Sequence, residues 1–138
     1  MSREAARIEI YGMVRAAAAA WIAWPVIIDF ENRPSVDFTA QPKPYLAVDI
    51  VYYDGKQVDM ADNPYVGRYG NILLAAMTPV GRGTSESNLL IDHFSKYLQM
   101  KGMPLISTKA ARPLPPVEPL GWYGTMASVD FWYYELSQ

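Results

Sequence analysis

His93 is the only histidine of the chain and sits beside Asp92, the pairing from which a general base and its orienting carboxylate could be built. The surrounding pattern places both on a helix, where successive residues diverge by about 100°. Asp92 therefore cannot orient the imidazole, and His93 reads as a histidine at the surface or the edge of the core. Gly81-Arg82-Gly83-Thr84 precedes that helix as an anion-binding loop would, but it lacks the lysine and the glycine spacing that cradle a nucleotide phosphate. A turn and a cap account for it, leaving Arg82 to meet an acidic partner. Asp54, Asp59 and Asp62 invite a calcium reading, yet they miss the alternate-residue ligands and closing glutamate of a helix-loop-helix site and read as a solvated loop. Asp29 and Glu31, two apart at a strand end, share a face as an acid pair would; without a substrate groove they read as surface charges. The chain has no cysteine, which excludes disulfides and thiolate metal sites and fits a reducing compartment. No catalytic residue, metal or cofactor is expected.

The remaining functional candidates are aromatic. From Trp122 to Tyr134 runs a strand entered from a proline-rich loop, with Tyr123, Ala127, Val129, Phe131 and Tyr133 on one face. Met126, Ser128, Asp130, Trp132 and Tyr134 fall on the other. Trp132 and Tyr134 are costly to leave in water and common where chains pack on one another, so this face points to assembly. A ligand cleft lined by tyrosine and tryptophan is the alternative use.

Positioning that strand falls to a chain of 138 residues with 51% hydrophobic and 19% charged content, enough for one domain with one core. Twelve basic against 14 acidic residues give a net charge of -2, which argues against a general affinity for nucleic acid. The apolar run from Ala16 to Ala23 is too short to span a bilayer of roughly 30 Å and lacks a cleavage-site pattern. It belongs instead to an N-terminal helix capped by Ser2, with Ile10, Met13, Val14, Ala17 and Trp21 at helical spacing.

Strands are predicted over Val26 to Phe30 and over Tyr45 to Tyr53, the latter with Leu46, Val48, Ile50 and Tyr52 on one face. Asp54 to Pro64 reads as a long polar loop. Tyr65 to Thr78 reads as a strand with a bulge at Gly67 and Gly70. A helix starting at Thr84 to Ser87 carries the apolar stripe Leu90, Ile91, Phe94, Tyr97 and Leu98 and stops at a left-handed Gly102. Leu105 to Ala110 is a weaker strand, and the prolines from Arg112 to Pro119 favour extended, unpaired backbone. The order predicts an α+β fold, a mixed or antiparallel sheet of about five strands with two main helices packed on it.

Taken in order, the N-terminal helix, Pro44-Tyr45-Leu46-x-Val48, Arg68 to Pro79 ending in Pro-x-Gly-x-Gly, the Ser/Glu-started helix reaching Phe94, and Gly121-Trp122-Tyr123 resemble the tail terminator proteins of long-tailed bacteriophages, including their minor tail protein U-like branch. The resemblance spans nearly the whole chain. It implies a virion protein, assembled in the host cytoplasm, that forms a homohexameric ring on the head-proximal end of the tail tube. There it would stop polymerisation and dock the head connector, with DNA able to pass through the ring, and with no enzymatic step and no membrane. Its partners would be itself, the tail tube protein and the connector. Contact candidates on this reading are Trp122, Trp132, Tyr134 and Arg112 with Glu118, together with Arg82 and the acidic loop's Asp54, Lys56, Asp59 and Asp62. Another neck or tail-completion protein is the alternative, and a small-ligand or enzymatic domain a further one.

Overall fold

A computed structural model describes residues 3–21, 27–30, 44–53, 56–57, 65–79, 85–100, 106–118 and 122–136. Helix α1 spans Arg3–Ala20 and buries Ala6, Ile10, Tyr11, Val14 and Ala17, a stripe at the three-to-four-residue spacing of one helix face. Helix α2, Ser85–Leu98, buries Leu90, Ile91, Phe94 and Leu98 beneath a first turn carrying Glu86 and a last turn carrying Lys96, charges that suit the helix dipole.

The strands are β1 (Ile27–Phe30), β2 (Tyr45–Tyr52), β3 (Lys56–Gln57), β4 (Tyr65–Pro79), β5 (Ser107–Thr108), β6 (Arg112–Val117) and β7 (Trp122–Leu136). They form one sheet in the order β1-β2-β4-β7-β5, with β3 also on β4 and β6 also on β7. Among the described residues only β1 and β2 run parallel, and every other pair is antiparallel. The fold is α+β, a mixed open sheet with two helices on one face, and β4 and β7 form its long spine.

The core lies between the helices and that inner face, where Phe30, Leu46, Val48, Ile50, Ile72, Leu74, Ala127, Val129, Phe131 and Tyr133 meet the buried sides of α1 and α2. His93 on α2 ties the helices together. Its Nε2 lies 2.7 Å from the Ala17 carbonyl oxygen, a group that can only accept, so this nitrogen carries the proton. Ala17 stands in the last turn of α1, where carbonyls lack intrahelical partners, and the imidazole serves as a cap supplied by the other helix.

Several sequence expectations are corrected. The register between β4 and β7 runs without a shift from Tyr65↔Leu136 to Pro79↔Trp122, and that of β2 with β4 is equally regular, so Gly67 and Gly70 make no bulge. Gly70 answers a different need: a Cβ there would lie 2.3 Å from Phe131 Cζ and 2.5 Å from the Val51 carbonyl oxygen. The connection expected as polar loop contains β3, paired with Val66 and Gly67. Tyr97, expected in the apolar stripe, is 38% exposed because that side of α2 faces away from the sheet. After α2, Met100 is left-handed at φ 55°, and its amide donates to the Lys109 carbonyl (3.2 Å); Gly102, expected as the left-handed stop, and Ser2, expected as a cap, lie outside the described residues. Of the weaker strand expected over Leu105 to Ala110, the described residues 106–110 contribute the two residues of β5.

The proline segment is paired rather than free. Arg112, Pro113 and Leu114 stand opposite Ser128, Ala127 and Met126, then the register shifts before Val117 meets Gly124. This is tolerated because, among the described residues, β6 has β7 as its only neighbour, and an edge strand can turn its missing N–H groups outward.

Candidate interaction surface

Cross-strand partners share a sheet face, so the registers map the side opposite the helices row by row. One row holds Asp49, Leu73, Ser128 and Arg112; its neighbours are Ala47, Ala75, Met126 and Leu114 on one side and Val51, Asn71 and Asp130 on the other. Beyond them Tyr69 stands opposite Trp132, and Gly67 opposite Tyr134. Among the described residues no helix packs on this outer face.

Its aromatic end is open. Tyr53 is 55% exposed, Tyr69 41% and Tyr134 54%, while Trp132 is half-buried. Tyr53 is held beside Tyr69 by a backbone bond from its amide to the Tyr69 carbonyl (2.8 Å), and Lys109 Nζ lies 5.8 Å from the centre of the Trp132 ring, within cation–π range. Tyr53, Tyr69, Lys109, Arg112, Asp130 and Trp132 line a cleft of about 280 Å³.

Beside the aromatic row sits a polar knot. Asp130 Oδ1 accepts from Asn71 Nδ2 (2.6 Å) and from an Arg112 terminal nitrogen (3.1 Å). Asn71 is only 3% exposed, so the carboxylate satisfies a shielded donor from one side and takes a surface cation on the other. The arginine keeps most of its five donors for other acceptors.

On the other side of Tyr53 and Tyr69 lies a second cleft, of about 370 Å³, where Arg3, Tyr52, Arg68, Tyr133 and Glu135 gather. Arg3 sits 4.8 Å above the Tyr52 ring, and Arg68 pairs with Glu135 at 3.5 Å. Burial pushes the Tyr133 phenol above its ordinary pKa, with the Glu135 charge adding to the effect. Neither cleft assembles a nucleophile with a base. Among the described residues no group of three His, Cys, Asp or Glu is placed to hold a metal ion.

The candidate contacts separate along the strand. Trp132 and Tyr134 fall together with Tyr53 and Tyr69. Arg112 lies a short step away on the Asp130 knot, and Lys56 stands opposite Gly67 at the Tyr134 end. Trp122 does not join them: it lies ten residues from Trp132 on β7, about 33 Å at strand rise, with its ring 5.1 Å from that of Tyr45. Glu118 is exposed just after β6. Asp54, Asp59, Asp62 and Arg82 lie outside the described residues. Tyr53, Tyr69, Asn71 and Lys109 were not among the candidates; the pairing of β4 with β7 brings them in, and only long-range register could have indicated it. His93 is packed among Trp21, Phe94 and Tyr97, with ring centroids 4.9, 5.4 and 5.0 Å away, which gives it a structural place.

No family model and no curated protein matches the chain. Among solved structures 17 chains match. One, whose name carries no functional description, superposes with a TM-score of 0.68 over 96% of this chain and 96% of its own length, at 12% identity. At that identity the likeness shows a shared fold and leaves function to the surface itself.

Proposed function

We propose that this chain is a structural assembly subunit of the phage tail terminator kind, which closes into a homohexameric ring on the head-proximal end of the tail tube, ends polymerisation and presents a docking surface to the head connector. The observation that carries this reading is the outer sheet face: a half-buried tryptophan among exposed tyrosines, next to a charged knot, on a sheet whose described helices both pack on the other face. Apolar anchors ringed by charge are the composition of binding surfaces, the anchors supplying affinity and the charges register. A ring uses one such patch against a different patch of the neighbour. The order of sequence signatures from the first helix to Gly121-Trp122-Tyr123 supports the terminator assignment over other head-tail joining proteins.

Negative-stain imaging of the purified protein mixed with tail tubes tests the proposal. Rings at one tube end, and tubes of unregulated length when the protein is omitted, are expected. Tubes whose ends stay bare and whose length is unchanged by the protein would defeat it. Trp132→Ala with Tyr134→Ala, in a protein that still folds, is expected to abolish end binding.

A further inference from the structure

The outer face carries its opposite charges at opposite margins of one row. Asp49, exposed on β2, and Arg112, exposed on β6, are separated by Leu73 and Ser128 in continuous register. A second copy laid face to face and related by a two-fold axis parallel to the strands would exchange the margins. Asp49 of each copy then faces Arg112 of the other, which has guanidinium donors to spare beyond Asp130. The adjoining row behaves the same way, Ala47 and Ala75 coming over Leu114 and Met126, small side chains against long ones, and in a row further along Tyr69 comes over Trp132. At about 4.8 Å between strands and 3.4 Å rise per residue, the 8, 15, 15 and 6 residues of β2, β4, β7 and β6 outline roughly 700 Å², close to the roughly 800 Å² each partner contributes to a standard stable interface. Sheets packed in this way stand about 10 Å apart, within reach of an aspartate and an arginine extended towards each other.

We infer that, away from its assembly partner, this protein closes its outer face on a second copy in a two-fold dimer, so that the surface used in assembly is covered until a partner displaces it. The inference rests on the proposal that the outer face is the assembly surface, and adds the state of the free subunit.

Sedimentation velocity on the free protein is expected to show a dimer. Asp49→Arg alone and Arg112→Asp alone each place like charges together twice per dimer and are expected to weaken association about tenfold or more. An equimolar mixture of the two variants restores both pairs in a heterodimer and is expected to return to within about threefold of the parent. Because Arg112→Asp also places a second carboxylate beside Asp130, an independent pair is included: the chain has no cysteine, so Asp49→Cys and Arg112→Cys can be mixed and treated with a bismaleimide of about 10 Å span, the sheet spacing. Crosslinking in the mixture, well above that of either variant alone, supports the dimer. A free protein that is monomeric or already hexameric, or a mixture that neither reassociates nor crosslinks, overturns it. Dimers that fail to cap tubes would leave this inference standing and remove the terminator reading, whereas capping by a monomeric protein would do the reverse.

Discussion

Gly70→Ala tests the spine of the fold most directly. The added methyl carbon would sit 2.3 Å from Phe131 Cζ and 2.5 Å from the Val51 carbonyl oxygen, against van der Waals separations of about 3.5 Å. Phe131 is almost fully buried in the core, so its ring has no vacant direction, and Val51 is held by the ladder that pairs it with Asn71. Relief must come from parting β2 from β4 or from moving a packed aromatic ring. Overpacking costs about 1–3 kcal/mol where side chains can adjust; with a backbone atom as one obstacle, the loss is expected at the upper end, about 3 kcal/mol. For a domain of this size that is a melting-point drop on the order of 10 °C. Urea unfolding followed by circular dichroism measures it. Phe131→Leu separates the two obstacles: combined with Gly70→Ala it removes the ring clash but leaves the carbonyl, so the double variant should lose less than the sum of the singles by about 1 kcal/mol. A Gly70→Ala protein within about 0.5 kcal/mol of the parent would refute both the packing argument and the β2–β4 register behind it.

His93→Ala removes the cap on the last turn of α1 and a ring packed against Trp21; a loss of about 1–2 kcal/mol is expected, with faster amide exchange in that turn, and His93→Gln should recover part of it by restoring an N–H donor to the Ala17 carbonyl. Asp130→Ala leaves the shielded Asn71 amide without its acceptor and should cost about 1–3 kcal/mol, while Asn71→Ala with Asp130→Ala should cost less than the two changes summed, a double-mutant cycle in urea being the measure. Tyr133 carries a pH signature: its folded pKa is raised, so its contribution is fully present below the unfolded value of about 10 and is lost as pH rises through the folded value. Alkaline destabilisation should therefore be shallower in Tyr133→Phe than in the parent, as read from melting temperatures across that range.

Local periodicity made much of this architecture legible. Alternation along Trp122 to Tyr134 is enough to set Val129, Phe131 and Tyr133 on the core face, because a strand's side-chain period is the same whatever pairs with it. Leu90, Ile91, Phe94 and Leu98 announce their helix face for the same reason. What stayed hidden depends on partners distant in sequence. Gly70 reads as a strand weakness until Phe131 and Val51 are set beside it. Tyr69 and Trp132 become neighbours only through the 15-residue pairing of β4 with β7. The proline segment's pairing could not be foreseen, since the same residues suit a free extended chain and a sheet edge; its neighbour decides. Aromatic content alone grouped Trp122 with Trp132, and the length of the strand separates them.

The edges of the sheet bear on how copies can meet. For β6 to pair through Arg112 and Leu114 on either side of Pro113, the nitrogen of Pro113 must face away from β7, and Pro115 and Pro116 lie where the register shifts. The outward side of β6 is therefore short of donors and cannot template another strand. At the opposite end β1 has four residues, a length that offers little ladder to a newcomer. Growth by strand addition is disfavoured at these two edges, so the proposed association would fall to the broad outer face, where side chains rather than backbone set the fit. An assembly built on faces is selective by shape and charge and stops when its geometry closes. Under the proposed terminator role that property is what ending a polymer requires, whereas an extensible edge would invite the open-ended growth such a subunit has to prevent.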